Sequence, residues 1–231
     1  MAAKRYAILG LGHFGFNLAL QLTERGVEVL AIDTREERVE MLRDRVAHAM
    51  VLDSTDRRAL GNLGLQEFDG VVVAIGEDFE ASIMTCAHLQ EMGIKRIIGR
   101  VMSPVHERVI RLMKIDEVIL PEADAAAQTA RRLTFRNALE AFDITRDYSV
   151  IELAVPSSWI GQTVGRVGLR GNYSINLVTI IRRDASKASL VAGQRAATRV
   201  LGVPSADTVF EAEDILVIFG EESNLQRVCS L

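Results

Sequence analysis

The sequence feature that most constrains the fold is an alternation of short apolar runs with longer segments of helical spacing, which continues from Arg5 to about Leu120. The apolar runs are mostly Val, Ile and Leu, as in parallel strands that are buried on both faces. The predicted strands are 5–9, 28–33, 49–52, 70–74, 96–101 and 117–120. The helices predicted between them are 14–25, 36–45, 56–63, 80–92 and 104–113. This order predicts an α/β fold in which helices cover a Rossmann-like, doubly wound parallel sheet.

A different pattern begins after Pro121. Residues 122–141 lack strand-like alternation and predict one Ala-rich helix. Later β-branched and aromatic runs, separated by Gly, Pro, Ser and Asp, predict a small β-rich domain. These runs are 148–155, 175–182, 209–210 and 215–219. For 183–203 we predict no regular structure. The expected organisation is a first domain at 1–121, a helical connector at 122–146 and a smaller C-terminal α+β domain at 147–231.

Composition and charge limit the classes of function. The formal net charge is −4 and the two signs are mixed along the chain. Because binding to a phosphate backbone usually requires a one-sided basic excess, we expect no nucleic-acid partner. The sequence also lacks a secretory signal and a run of about 18 apolar residues. We therefore expect a cytoplasmic protein whose role at a membrane depends on a partner.

A glycine motif directly follows the first predicted strand and opens the first predicted helix. Its residues are Gly10, Leu11, Gly12, His13, Phe14 and Gly15. In this context the first glycine permits a tight turn, the second lets a pyrophosphate approach the backbone, and the third lets the helix pack closely on the strand. The helix N-terminus then stabilises the anion. The motif predicts a nucleotide-binding loop.

Asp33 strengthens the nucleotide-binding interpretation. It ends the second predicted strand, where a carboxylate accepts hydrogen bonds from the ribose hydroxyls of an adenosine. A carboxylate there also repels a 2′-phosphate and so disfavours NADP, although Arg35, which follows Thr34, weakens that argument. The alternative is that the glycines only form a tight turn and that Asp33 caps the following helix.

Further candidate residues follow the third, fourth and fifth predicted strands, at the edge of the sheet where ligands bind in open α/β folds. Candidates to line the adenine and the ribose are Asp53, Ser54, Ala74, Ile75 and Gly76. Asp53 and Ser54 have an alternative role as caps of the helix that begins near Asp56. Arg100 ends a buried strand and needs an anionic partner, and a phosphate would serve.

These binding residues are not accompanied in the sequence by a catalytic constellation. A dehydrogenase needs an acid or base beside its nicotinamide. The segment after the connector is short and poor in clusters of Asp, His and Lys, and the four histidines are scattered without metal-ligand spacing. Binding without catalysis is therefore the expected function. A small NAD-dependent oxidoreductase is the alternative.

Three longer segments carry a resemblance to a known family. They are IDTREERVEMLRD, DGVVVAIGEDFEASIMTCAHLQEMG and IIGRVMSPVHERVIRLMKIDEVILPEADAAAQTARRL. Together they resemble the TrkA/KtrA family, the RCK regulators of bacterial potassium uptake. The resemblance covers nearly the whole chain and is stronger in the N-terminal RCK_N domain than in the C-terminal RCK_C domain.

The resemblance implies a regulatory subunit that binds ATP and ADP, or NAD and NADH. It also implies that dimers assemble into an octameric ring, and that the ring docks on a potassium-translocating subunit at the inner face of the cell membrane. The nucleotide would change the geometry of the ring and thereby the flux of potassium.

The resemblance also implies roles for individual residues. The positions that match the nucleotide site of the family are Gly10, Gly12, Gly15, Asp33 and Arg100. Glu122 matches a carboxylate that resembles a cation ligand, and a hard oxygen ligand suits Mg²⁺. Where relatives that respond to ATP commonly carry Arg, this chain has His13, which leaves the preference for ATP over ADP open. The positions that fall where some relatives bind cyclic di-AMP are Val164, Arg170, Asn176 and Pro204.

Overall fold

A computed structural model describes residues 3–135, 137–183 and 198–231 of the chain. The chain divides into two compact units, Met1–Ala123 and Asp124–Leu231. Each unit has its own hydrophobic core. Within the described ranges, we find no helix that has both the length and the apolar character needed to span a membrane.

The first unit contains a parallel sheet with helices between its strands. Its strands are β1 (Arg5–Leu9), β2 (Glu28–Asp33), β3 (His48–Val51), β4 (Gly70–Val73), β5 (Ile97–Arg100) and β6 (Glu117–Ile119). Its helices are α1 (His13–Glu24), α2 (Glu36–Glu40), α3 (Arg57–Gly61), α4 (Phe79–Glu91) and α5 (Pro104–Leu112). The strand order is β3-β2-β1-β4-β5-β6, and each neighbouring pair is parallel. This arrangement confirms the predicted Rossmann-like, doubly wound sheet.

Both faces of this sheet are buried, as the continuous apolar runs predict. In β1, Ala7 and Leu9 pack into one core while Ile8 between them packs into a second core on the other face, because successive side chains of a strand point in opposite directions. The chain runs from β1 to β2 on one side and reaches β4 on the other side of β1. This reversal of strand order opens a crevice at the carboxyl ends of β1 and β4.

The helix that follows β6 is shorter than predicted. A helix, α6 (Pro121–Thr134), is followed by a strand, β7 (Ala138–Asp143), so the prediction of one helix over 122–141 is wrong beyond Thr134. Asn137 has a left-handed backbone with φ of 65°, a conformation that ends helices and that Asn tolerates better than most residues. Ala141 is then buried in the core of the second unit, which favours the strand over continued helix.

The second unit is built on an antiparallel sheet. Besides β7, its strands are β8 (Tyr148–Ala154), β9 (Ile175–Arg183), β10 (Thr198–Val200) and β11 (Ile215–Glu221). Its helices after α6 are α7 (Val164–Val167), α8 (Leu169–Tyr173) and α9 (Glu222–Cys229). The strand order is β10-β9-β11-β8-β7, with every neighbouring pair antiparallel. The mixture of sheet and helices confirms the predicted α+β class of the smaller domain.

Three details of this unit differ from the sequence-based predictions. The predicted strand at 209–210 is absent from the described structure, where Val209 forms only an isolated bridge with Thr163. Helix α9 was not predicted, although its Leu225 and Val228 lie one helical turn apart and are both buried. Part of the stretch predicted to lack regular structure is strand, because β10 pairs with β9; residues 184–197 of that stretch lie outside the described residues.

A buried ion pair ties β9 to the turn before β11. The guanidinium of Arg182 donates to both carboxylate oxygens of Asp214 at 2.7 Å, and Asp214 also accepts from the backbone N–H of Glu211 at 2.8 Å. The side chain of Asp214 is fully buried, and that of Arg182 is 17% exposed. The hydrogen bonds with Asp214 raise the pKa of Arg182 further. This bidentate geometry is the strong form of an arginine–carboxylate pair.

We expect Asp214→Asn to lower the free energy of unfolding by about 2 kcal/mol. The amide of Asn is uncharged, and its NH₂ group would face an N–H donor of Arg182 where the carboxylate oxygen of Asp214 now accepts. The matched control is Glu213→Gln, which removes the exposed partner of Arg183 and should cost less than about 1 kcal/mol. Urea unfolding of both variants measures the difference. Equal losses would show that the Asp214 pair contributes no more than a surface pair.

Candidate functional site

A pocket of about 520 Å³ lies at the carboxyl ends of the strands in the first unit. Its position is the crevice where the strand order reverses, and its volume suits a small organic ligand. The candidate residues that line it are Gly10, Gly12, His13, Asp33, Thr34, Arg35, Asp53, Ser54, Ala74, Ile75, Gly76 and Arg100. The structure therefore brings together residues that lie up to 90 positions apart in the sequence.

Glycine is present at each of the three loop positions for a different structural reason. Gly10 has φ of +97°, and a Cβ on it would lie 3.0 Å from the backbone nitrogen of Ile75. A Cβ on Gly15 would lie 1.9 Å from the carbonyl oxygen of Gly10, so only glycine lets α1 pack against the loop. A Cβ on Gly12 would project into open space, with the nearest described atom, on Arg38, 4.0 Å away. Gly12 is thus the position that keeps the pocket open.

Two residues of the loop, Leu11 and Phe14, do not line the pocket. Leu11 is 2% exposed and packs in the core. Phe14 is partly buried, and the guanidinium of Arg100 lies 5.5 Å from the centre of its ring. These two residues hold the loop and Arg100 in place.

The N-terminus of α1 is left without a capping side chain. Its N-cap is Gly12, and its first turn contains no acidic residue. By contrast, α3, α4 and α5 are each capped by a side chain that accepts from a backbone N–H, those of Asp56, Asp78 and Ser103. The first N–H groups of a helix carry a partial positive charge and need acceptors. At α1 these groups lie beside the pocket, where an anion can accept them.

The carboxylate of Asp33 is already engaged by the chain itself. It is 6% exposed and accepts from the backbone N–H of Leu11 at 2.7 Å and of Arg35 at 2.9 Å. It also accepts from Nη1 of Arg38 at 3.2 Å. Asp33 therefore ties the end of β2 to the glycine loop. The N-cap of α2 is Arg35, so the alternative that Asp33 is the cap residue of that helix is wrong.

The loop after β3 forms the wall of the pocket next to β2. Asp53 accepts from both the hydroxyl and the backbone N–H of Thr55, and these bonds lower the pKa of its carboxyl. The hydroxyl of Ser54 lies 3.0 Å from that of Thr85 on α4. Since the cap of α3 is Asp56, the alternative role of Asp53 and Ser54 as its caps is wrong.

Arg100 lies at the other end of the pocket and has a carboxylate partner within the chain. Its Nη2 donates to Oε1 of Glu122 at 2.5 Å, and a Cβ on Gly76 would lie 2.6 Å from its Nη1. Burial acts to raise the pKa of the Glu122 carboxyl, but the hydrogen bonds of Glu122 with its own backbone N–H and with Arg100 outweigh burial and lower it. Among the described residues, no group of three or more His, Cys, Asp or Glu is placed to hold a metal ion.

Sequence reasoning missed several residues of the pocket. Those that line it are Ile32, Arg38, Leu52, Glu77, Asp78, Ala81 and Met102. Ile32, Leu52 and Glu77 lie directly beside a residue that was predicted. Arg38 is the exception of greatest interest, and its signal was its position: it lies in the short helix after Asp33, whose carboxylate it reaches across five residues.

Solved structures of RCK proteins share this fold. The GsuK RCK domain superposes with a TM-score of 0.61 at 18% sequence identity and covers 100% of this chain and 48% of that chain. The GsuK channel bound to NAD gives a TM-score of 0.58 at 18% identity, and the match covers 98% of this chain and 39% of that chain. This chain therefore spans less than half the length of each of these proteins, and the likeness is one of fold.

Family models and curated relatives identify the chain more closely. A model of the TrkA-N domain matches residues 6–121, and a model of the TrkA-C domain matches 149–231. Ktr system potassium uptake protein C of Bacillus subtilis (strain 168) is 34% identical over 97% of this chain and 95% of its own length. Ktr system potassium uptake protein A of Vibrio alginolyticus is 27% identical over 96% of this chain and 94% of its own length. With both domains matched and relatives aligned over nearly their whole length, the chain belongs to the TrkA/Ktr family of potassium uptake proteins.

Proposed function

We propose that this chain is the cytosolic regulatory subunit of a Trk- or Ktr-type potassium uptake system and that it binds an adenine nucleotide, ATP/ADP or NAD(H), in the pocket of the first unit. The nucleotide would control potassium flux through a membrane-embedded partner subunit by changing the shape of a homo-oligomeric ring, an octamer of four dimers. The observation that carries the ligand class is the uncapped N-terminus of α1, which opens onto the pocket at Gly12.

The pocket fits such a ligand group by group. Asp33, Asp53 and Ser54 lie over β2 and β3, where the adenosine would bind. The N–H groups at the start of α1 lie over β1, where they would donate to the phosphates. Arg100 ends β5 and would contact groups beyond the first phosphate. The space left at Gly12 is the place where a phosphate can approach the backbone.

We propose two additional ligands, Mg²⁺ and cyclic di-AMP. Glu122 is the candidate ligand for Mg²⁺, and binding there would require the carboxylate to leave Arg100 and the phosphates to supply further oxygen ligands. For cyclic di-AMP the candidate positions are Val164 at the start of α7, Arg170 in α8, Asn176 in β9 and Pro204 beyond β10.

The test is the identity and affinity of the bound nucleotide. We expect the purified protein to retain an adenine nucleotide, detectable by mass spectrometry after denaturation, and to bind ADP, ATP or NAD(H) in calorimetric titrations. Failure of all these nucleotides to bind would contradict the proposal. Turnover of a nicotinamide with a substrate at about one per second or faster would instead favour the oxidoreductase alternative.

A further inference from the structure

We infer that Arg38 binds the first phosphate of the ligand, the one attached to the adenosine, and that it does so separately from Arg100. The inference rests on the proposed nucleotide binding and adds to it a residue that determines which ligands bind tightly. Its basis is the position of the Arg38 guanidinium within the pocket, the hydrogen bond to Asp33 that holds it there, and the weakness of its ion pair with Glu77.

The guanidinium of Arg38 lies above the glycine loop. Its Nη1 is the described atom nearest to the space that a Cβ on Gly12 would occupy, at 4.0 Å. This is the space that glycine leaves free for an anion at the start of α1. A phosphate that accepts from the N–H groups of that helix turn would therefore lie within contact distance of Arg38 as well.

Arg38 is held in this position by Asp33. The distance from its Nη1 to Oδ2 of Asp33 is 3.2 Å, and the Arg38 side chain is 23% exposed. Asp33 in turn is fixed by two backbone N–H groups. The arginine is thus oriented before any ligand arrives, and little side-chain entropy remains to be lost on binding.

The second partner of Arg38 can be replaced. Its Nη2 lies 3.4 Å from Oε1 of Glu77, whose side chain is 82% exposed. Glu77 also lies 3.6 Å from Arg35. Ion pairs of such length and exposure contribute little, because water competes with both partners. A phosphate offers shorter, charged hydrogen bonds, so it would displace Glu77 from Arg38 at small cost.

The strand order separates the two arginines. Arg38 follows β2, on one side of β1 in the sheet, whereas Arg100 ends β5, on the other side of β1 and beyond β4. With the adenosine over β2 and β3, the phosphate on its 5′ oxygen would meet Arg38 first. A second or third phosphate, or the second half of a dinucleotide, would reach toward Arg100.

The experiment compares adenosine with AMP, which differ only in that first phosphate. Arg38→Gln removes the charge but keeps a donor for Asp33. We expect it to weaken AMP by about tenfold, the effect of one lost charged hydrogen bond, and to leave adenosine unchanged. NMR chemical-shift titration of the full-length protein measures both ligands, including millimolar dissociation constants.

Two further variants make the result specific. Glu77→Gln removes a carboxylate that would repel a phosphate bound at Arg38, and it should tighten AMP severalfold. This effect is opposite in sign and does not depend on the stability of the Arg38 variant. Arg43→Gln is the control for net charge, since Arg43 pairs with Glu40 and does not line the pocket. It should change neither affinity.

Equal weakening of adenosine and AMP in Arg38→Gln would overturn the inference, because it would show that Arg38 acts only through Asp33 and the ribose. Unchanged AMP affinity in Arg38→Gln would overturn it as well. So would unchanged AMP affinity in Glu77→Gln. If the wild-type protein bound AMP, ADP, ATP and NAD(H) no better than a protein without a nucleotide site, the proposed function would fail first, and that outcome is distinguishable from the others.

Discussion

Gly12→Val is expected to abolish adenine-nucleotide binding while the protein stays folded. The valine side chain would occupy the space where a phosphate approaches the start of α1, so several charged hydrogen bonds would be lost together. We expect the dissociation constant of ADP to rise by about 100-fold or more. Calorimetric titration measures this loss.

The fold should tolerate this change because of the backbone and the surroundings of Gly12. Its φ of −64° is accessible to any residue, and the nearest described atom to its Cβ position is 4.0 Å away. The melting temperature should therefore fall by no more than about 4 °C, which reflects a poorer N-cap. Gly12→Ala, with a smaller side chain, should give an intermediate loss of affinity. Full ADP binding by the valine variant would remove this loop from the site.

Gly15→Ala is expected to unfold the first unit or to destabilise it by more than about 3 kcal/mol. The added methyl would lie 1.9 Å from the carbonyl oxygen of Gly10 and 3.2 Å from the Cβ of Ala74. Gly10 directly follows β1, so its carbonyl oxygen cannot move away from the added methyl without separating α1 from β1. Urea unfolding followed by circular dichroism measures the loss.

Gly61→Ala is the matched control for this prediction. Gly61 lies at the end of α3 with no described atom within 4 Å of its Cβ position, and its φ is negative. Alanine there should stabilise the helix by up to about 1 kcal/mol, as expected from helix propensity. If Gly15→Ala were as stable as Gly61→Ala, then close packing would not be the reason for glycine at position 15.

Local patterns in the sequence predicted the first unit well. Strands β1 and β2 have the predicted bounds, and the glycine motif follows β1 and opens α1 as expected. Such signals are local, because an apolar run or a glycine turn is set by a few neighbouring residues. The strand β7 could not be predicted in the same way. Its residues have no strong alternation, and what favours a strand there is pairing with β8, which depends on tertiary structure.

The candidate site shows the same limit. Position along the chain indicated that Asp33, Asp53 and Arg100 lie at one edge of the sheet. It did not indicate that the Asp33 carboxylate accepts two backbone N–H groups, or that Glu122 pairs with Arg100. Such partners are set by the conformation of loops, and a sequence pattern does not specify it. Arg38 was missed for that reason.

The pairing of Arg100 with Glu122 has a consequence for communication along the chain. Glu122 is the second residue of α6, a helix whose later residues belong to the second unit. A ligand that takes hydrogen bonds from Arg100 competes with Glu122 for the same guanidinium, so occupancy of the pocket and restraint of the helix start are linked equilibria. Linkage of this kind is reciprocal. Any change that breaks the pairing of Glu122 with Arg100 would therefore alter the affinity of the pocket for such a ligand, and the ligand would weaken that pairing by the same factor.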